Sequence, residues 1–503
     1  MSIKKIERLA DGILLGTGAA LSLILAFLVS VHGMALHYAL VGVVALGLFA
    51  TRWLNASVKI NFAFVVLSSL LAVYTSELVL AVVASGRANF EMTRWLFFPG
   101  DHTRDLAQLR LEKNSKDNPT FDRRDKLQVI ESLEREGVSA YPAVVPYDFL
   151  KWDHGSKGHR ALLIDRVETL PLGGVSNVLT VFCNESGEYI TYKSDEHGFH
   201  NPPGLWKYQQ LEIVAVGDSF THGACVPSED NFVGVIRARH PATLNLGMDS
   251  NGPFLMLASL KEYAQRFKPK IVLWFYYEGN DLKDMENERL SPLLRRYLTD
   301  AWSQNLLDRK SEIDQALMEY IKRARENLRT RVYFEETIKL HQVRQLLELW
   351  YAGNMQDDTK KIHSTRTYFS SEVTEEEMDR FRSVLGEAAS TVRGWGGQLY
   401  FVYLPEYARY GLPEFANKNG DRVIRLVTEL KLPLIDLHQV FAKLQDPVGL
   451  FPFRRWNHYN TEGHRLVGEE VLRVLHGTAA VAQQEPASSM IGVSLTPLVS
   501  TRP

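Results

Sequence analysis

The chain is 503 residues long, with 45% apolar and 23% charged residues and a net charge of −2. That length allows two or three domains, the composition is globular rather than disordered, and the near-neutral balance gives no electrostatic footing for a nucleic-acid partner. The averages conceal an asymmetry, because residues 1–86 are almost wholly apolar and the rest is mixed.

Ile13 to Val31 carries no charge and is long enough to cross a hydrocarbon core, as is Ile60 to Ala84, where Glu77 is the one charge. Leu36 to Ala50 is apolar but shorter, and with Trp53 and Leu54 after it is expected to be a third span. A signal peptide is disfavoured for the first stretch, since two more apolar segments follow and no small-residue cleavage site is evident. Lys4, Lys5 and Arg8 precede the first span, Arg52 and Lys59 separate the second and third, and 32–37 has no Lys or Arg. The positive-inside rule then places the N-terminus in the cytoplasm and everything after Gly86 outside, with Trp95, Phe97 and Phe98 at the outer interface. Glu77 is expected to be shielded between helices or near the interface. Both cysteines, Cys183 and Cys225, fall in the exported part, where an even pair predicts a disulfide.

Residues 87–204 read as a charged juxtamembrane connector followed by a small β region. Its apolar alternation from Ala161 to Tyr192 contains a hairpin turn at Asn184-Glu185-Ser186-Gly187. From 205 to 476 strands and helices alternate. Strands are predicted at 211–216, Thr243 to Leu246, Ile271 to Tyr276, Leu399 to Leu404 and Leu432 to Ile435. Helices are predicted from near Ser228, over Pro253 to Phe267, from Thr374 (a capping box with Glu377), over Arg422 to Leu430, and over Thr461 to Leu475. This alternation predicts an α/β fold, a doubly wound parallel sheet with helices on both faces. The stretch 284–373 breaks it with long polar helices, Ser311 to Leu328 and Phe334 to Tyr351, placed here as an insertion at the mouth of a site. Residues 477–503, rich in Ala, Gln, Ser and Pro, are expected to be disordered.

The chemistry sits on the turns after the strands. Gly217-Asp218-Ser219-Phe220 follows the first strand of the alternation and presents a serine where open α/β sheets bind their ligands. A serine becomes a nucleophile only with a base to take its proton and donors for the oxyanion. Gly279-Asn280-Asp281 ends another strand and offers an amide at the same sheet edge. Between the two lies Asn245-Leu246-Gly247-Met248-Asp249-Ser250, whose small residues let a backbone N–H approach a substrate. His458, ahead of the last helix in His458-Tyr459-Asn460-Thr461-Glu462-Gly463-His464, is the candidate base. Asp218 and Asp281 are expected to brace their loops. His464 is assigned a structural role, and His197, His200 and His222 show no metal-ligand spacing.

These segments resemble the four blocks of the SGNH (GDSL-type) hydrolase family, in order, over 205–285 and 396–475. The layout also resembles that family's membrane-anchored bacterial members associated with envelope-polysaccharide genes, which share a Cys-Asn-Glu…Ser-Asp-x-x-Gly-Phe lead-in, here Cys183 to Phe199. The resemblance implies a flavodoxin-like SGNH fold, Ser219 as nucleophile and His458 as general base. It makes Asn280 and the N–H groups of Ser219 and the middle block the oxyanion hole. No cofactor is implied. Two positions depart from the pattern. The family's oxyanion glycine falls on Ser250, and the Asp expected three residues before the histidine is Arg455. A Ser–His dyad, a carboxylate from Asp436 or Asp446, or a backbone carbonyl would then orient His458. The implied activity is a serine esterase or acyltransferase on acyl esters, an acetylated exported or envelope glycan in particular, with a bilayer and envelope-polysaccharide machinery as partners. A lipid-directed esterase and a catalytically weak glycan-binding or assembly factor are the rival readings.

Overall fold

A computed structural model describes residues 3–32, 36–85, 118–150 (less 119 and 123), 161–299, 302–331, 372–455 (less 413, 414 and 416) and 458–484. The expected interfacial aromatics at 95–98 and the helix expected over 334–351 lie outside them.

The N-terminal residues belong to a separate compact unit, which also takes in 327–331 among the described residues, and contribute three helices to it, α1 (Ile3–His32), α2 (Leu36–Ala50) and α3 (Ala56–Ser85). α1 and α2 run antiparallel. A methyl group on Gly18 would lie 3.4 Å from Ala45 O and Leu48 Cβ, so glycine lets the two helices approach closely. Lys59 of α3 reaches Glu7 Oε1 at 3.6 Å and Asp11 Oδ1 at 3.2 Å, which puts the starts of α1 and α3 at one end. Ala10, Leu14, Leu48 and Ala63 are buried together, while Leu46, Phe64 and Leu71 face outward. Among the described residues one helix, Ala56–Ser76, is long and apolar enough to cross a membrane, and Gly42–Trp53 is apolar but shorter.

The second unit begins with α4 (Lys126–Arg135) and a three-stranded sheet of β1 (Ala140–Pro142), β4 (Leu179–Val181) and β5 (Thr191–Lys193). The hairpin β2 (Leu162–Ile164) and β3 (Val167–Thr169) interrupts it. β1 runs parallel to β4 and β4 antiparallel to β5. The turn joining β4 and β5 is the Asn-Glu-Ser-Gly segment. Asn184 Oδ1 accepts the Gly187 N–H at 2.9 Å, and Gly187 takes the φ of +115° that favours glycine.

Five parallel strands form the main sheet in the order β10-β9-β8-β6-β7. They are β6 (Ile213–Val216), β7 (Thr243–Asn245), β8 (Ile271–Tyr277), β9 (Gln398–Leu404) and β10 (Leu434–Asp436). Counted along the chain, this is the 2-1-3-4-5 order of flavodoxin-like sheets, with its switch point between β6 and β8. The pleat splits the core in two. Val214, Val216, Val272, Trp274 and Tyr276 face one side, with α7 (Pro253–Ser259), α11 (Glu375–Gly394) and α12 (Gly420–Glu429). Ile213, Ala215, Leu273 and Phe275 face the other, with α6 (Phe232–Arg237) and the final helix α13 (Thr461–Gln484). The expected α/β layering with helices on both faces is therefore present. The remaining labels are α5 (Ser219–His222), α8 (Asp281–Glu288), α9 (Pro292–Thr299) and α10 (Lys310–Arg331).

Among the boundaries that differ from expectation, three have local causes. α6 starts at Phe232 because Asn231, not Ser228, caps it through the Gly234 N–H. The helix after Pro253 leaves α-geometry at Leu260 and ends in a wider π turn through Ala264. α13 continues past Gly477 to Gln484, into the stretch expected to be disordered, since Ala479-Ala480-Val481-Ala482-Gln483-Gln484 is made mainly of good helix formers. The capping box of Thr374 and Glu377 is present at the start of α11.

Asp195 fastens the small β region to the main sheet. Its carboxylate accepts from the His197 and Phe199 N–H groups, Asn201 Nδ2 and Trp206 Nε1, at 2.7–2.9 Å. Asn201 in turn exchanges hydrogen bonds with the backbone of Asn245 on β7. Burial nevertheless pushes the Asp195 carboxyl up to about 6.

Candidate active site

β6 is buried on both faces and leads into Gly217. A Cβ there would sit 2.1 Å from Thr221 Oγ1, so only glycine lets the strand turn straight into α5. Asp218 Oδ1 accepts the Phe220 N–H at 2.9 Å and caps that helix. Burial pushes the Asp218 carboxyl up to about 7, against the pull of nearby His458. Asp281 braces the turn after β8 in the same way, accepting the Tyr277 N–H at 3.0 Å.

Ser219 Oγ lies 2.8 Å from His458 Nε2. On the far side of the ring, His458 Nδ1 is 3.0 Å from Glu185 Oε1, and the His458 N–H donates to Glu185 Oε2 at 2.8 Å. A carboxylate only accepts, so Nδ1 carries the imidazole proton and Nε2 turns its lone pair to the serine hydroxyl. The ring packs 4.8 Å from Phe220, and the next residue, Tyr459, is seated by its hydroxyl on Pro405 O at 2.5 Å. Ser, His and Glu thus form one hydrogen-bonded line.

Glu185 replaces the two carboxylates expected from the sequence. Asp436, at the end of β10, accepts the His438 N–H. Asp446 caps its own turn and pairs with Arg454. Neither is the group at His458 Nδ1. The dyad and the backbone carbonyl are likewise displaced. Arg455, a pure donor, has no means of accepting the Nδ1 proton.

The disulfide between Cys183 and Cys225 explains how so distant a residue arrives. Cys183 precedes Glu185 by two residues, and Cys225 follows Ser219 by six. With the two Cα atoms 5.3 Å apart, the bridge clips the β4–β5 turn to the loop that carries Ser219. Asn184 Nδ2, donating to Asp122 O at 2.9 Å, holds that turn from the other side. The bridge closes a sequence separation of 42 residues, which corresponds to about 3–4 kcal/mol by loop-closure entropy. Replacing both cysteines by serine is expected to lower the denaturant midpoint accordingly and to reduce activity at temperatures where the variant is still folded. Unchanged activity in the folded variant would show that Asn184 alone suffices to place Glu185.

The middle block keeps a glycine-like turn although its sixth residue is serine. Ser250 has φ +64°, in the left-handed region. Its hydroxyl donates to Asp249 Oδ1 at 3.3 Å. Gly247 packs against α5 so tightly that a Cβ would lie 2.6 Å from Thr221. The Met248 N–H donates to Gly217 O at 3.3 Å, tying this turn to the one that carries Ser219. Asn280 stands at the start of α8, at the same edge. Its side chain makes no capping bond, and its Oδ1 is buried without a hydrogen-bond partner among the described residues. Ser219, the Ser250 turn and Asn280 thus follow the ends of the adjacent parallel strands β6, β7 and β8, at one edge of the sheet.

The other histidines are structural or bracing. His464 accepts the Phe232 N–H and stacks on the Phe232 ring, and burial lowers it to about 3. His200 donates from Nδ1 to His222 O at 2.8 Å. His197 packs on Trp206.

No family model matches the chain, and no curated protein does. Among solved structures, the chain is similar to a member of the lipolytic protein G-D-S-L family from Veillonella parvula DSM 2008, at 13% identity over 53% of this chain and 98% of that one, with a TM-score of 0.28. It is also similar to an alpha/beta hydrolase enzyme from the metagenome of Lake Arreo, Spain, at 14% identity over 54% and 98%, with a TM-score of 0.29. A two-domain esterase active on acetylated mannans matches at 13% identity over 55% of this chain and 51% of its own, with a TM-score of 0.27.

Proposed function

We propose that this chain is a serine ester hydrolase or acyltransferase working through an acyl-enzyme. The observation that carries the reading is the line from Ser219 through His458 to Glu185, at 2.8 and 3.0 Å. Ser219 Oγ attacks the acyl carbonyl while its proton passes to His458 Nε2, and Glu185 holds the imidazolium that results. The charge on the carbonyl oxygen is met by the Ser219 and Ser250 N–H groups and the Asn280 amide. Collapse expels the alcohol, which takes the proton back from His458. Water or a sugar hydroxyl then attacks the acyl-enzyme, giving its proton to His458, and the acyl–Oγ bond breaks as Ser219 Oγ takes that proton back, so one intermediate serves hydrolysis and transfer.

The substrate proposed is an acyl ester, with acetyl groups on an exported or envelope glycan as the class that the lead-in and block pattern imply. The proposed setting is a cytoplasmic membrane, with three N-terminal helices as anchor and the catalytic unit outside. Supporting this are the apolar Ala56–Ser76 segment and the Lys59 ion pairs that put the charged starts of α1 and α3 together. The Cys183–Cys225 bridge also suits an oxidising compartment. The rival reading of an assembly factor rests on Arg455 in place of an acid and on the long helical insertion, and the Glu185 carboxylate at His458 Nδ1 speaks against the first of these.

Treating the full-length protein with a fluorophosphonate, then digesting it, is expected to give one phosphonyl adduct, on Ser219. Heat-denatured protein should give none. An unlabelled Ser219 in the folded protein overturns the proposal.

A further inference from the structure

His222 is buried three residues after the nucleophile, and the acyl-transfer steps leave it without a part. Its hydrogen bonds are nonetheless directional. The Asp249 N–H donates to His222 Nδ1 at 3.1 Å. A backbone N–H can only donate, so Nδ1 is unprotonated and the ring proton sits on Nε2, 2.8 Å from the Tyr192 hydroxyl oxygen, to which it donates. The backbone carbonyl of the same residue accepts from His200 Nδ1, and His200 Nε2 lies 2.5 Å from Ser228 Oγ. The ring is packed 4.1 Å from Phe182. Burial holds the imidazole well below its ordinary pKa, which keeps it neutral.

Asp249 is the residue before Ser250, and the peptide between them leads into the N–H that the acyl-transfer reading makes an oxyanion donor. Ser250 is held at φ +64°, where L-residues other than Gly, Asn and Asp are uncommon, so the turn needs outside support. Two other bonds join the middle block to the nucleophile loop, Asn245 Nδ2 to Thr221 O at 2.7 Å and the Met248 N–H to Gly217 O at 3.3 Å, and a third, the Gly247 N–H to Asn245 Oδ1 at 2.8 Å, closes the start of the block on itself. The His222 bond is the one placed next to Ser250 itself. α5 carries Ser219 at its first residue and His222 at its last. A single helical turn thus holds both the attacking oxygen and the acceptor that sets the donor turn.

We propose that His222 is a positioning residue: through Nδ1 it fixes the Asp249–Ser250 turn so that the Ser250 N–H faces the oxyanion formed at Ser219. This rests on the acyl-enzyme reading above. Its consequence is selective. The bond matters where charge develops on the substrate oxygen, so its loss lowers kcat more than it raises KM.

The test uses full-length protein and p-nitrophenyl acetate, with wild type, Ser219→Ala, His222→Asn, His222→Gln and Tyr192→Phe, each followed by circular dichroism to its unfolding midpoint. Asn places an oxygen close to where Nδ1 stood; Gln places its polar end where Nε2 stood. His222→Gln is expected to lose about 10–100-fold in kcat, with KM within about threefold. His222→Asn should recover kcat to within about fivefold of wild type. Tyr192→Phe removes the partner of Nε2 and is expected to keep kcat within about threefold while lowering the midpoint. A purely packing role predicts instead that both His222 variants lose midpoint and activity together and that Asn gives no recovery. That outcome, or a folded His222→Gln with wild-type kcat, overturns the proposal. Should His222→Gln not fold, a folded His222→Asn with kcat down 100-fold overturns it equally. Wild type no faster than Ser219→Ala defeats the acyl-enzyme reading, and is told apart by that control.

Discussion

Ser219→Ala is expected to lower kcat for a short acyl ester by about 10⁴-fold or more, leaving only what binding and oxyanion donors supply. The change removes one oxygen from a buried side chain whose backbone is set by Gly217 and by the Asp218 cap. The fold and its unfolding midpoint should therefore hardly move. The non-additive signature is more telling than the loss. His458→Ala should cost a comparable factor, and the double variant Ser219→Ala/His458→Ala should be no slower than Ser219→Ala alone, because proton acceptor and nucleophile act as one unit. Multiplying losses in the double variant would mean that the 2.8 Å contact between them does not serve the reaction.

Glu185→Gln carries the second largest expected effect, a fall of about 10²–10⁴-fold in kcat. Glu185 accepts twice from His458, once from the ring at 3.0 Å and once from the backbone at 2.8 Å. Glutamine can accept with only one of its two terminal atoms. With its NH₂ toward the ring, it forces the proton onto Nε2 and disables the base. With its NH₂ toward the His458 N–H, it sets two donors against each other. Either way the charge that stabilises the imidazolium is gone. Stability should change little, since the disulfide at Cys183 and the Asn184 bonds hold the turn without the carboxylate. Asp436→Asn and Asp446→Asn are the matched controls, expected to keep kcat within about twofold. Near-normal turnover by Glu185→Gln beside a collapse in Asp436→Asn would reverse the assignment.

Why Glu185 escaped the sequence reading is physical. Ser219, Asn280 and the Ser250 turn are found from local patterns, because each follows an apolar strand directly and parallel strands bring their ends to one edge. The same local pattern points for the acid to the neighbourhood of the base, after the last strand, where Asp436 and Asp446 stand. Glu185 belongs to another sheet, 273 residues before His458 in the chain, and no periodicity links the two. A usable signal existed nonetheless. A bridge from Cys183 to Cys225 forces residue 185 close to the loop that carries Ser219, and the only carboxylate in Cys183-Asn184-Glu185 is Glu185.

Several features were determined by the sequence alone: the α/β layering, the sheet edge that carries Ser219 and Asn280, the capped start of α11, the pairing of the cysteines and the apolar character of the N-terminal segments. All of these depend on residues close in the chain, or on composition, where burial pattern and turn chemistry act locally. Tertiary structure alone decided which carboxylate faces His458, whether serine could hold the left-handed φ at position 250, and that His222 accepts from the Asp249 backbone. Each of those depends on atoms from separate elements meeting within about 3 Å, the reach of a hydrogen bond, and strand order and a disulfide, not local preference, bring them there.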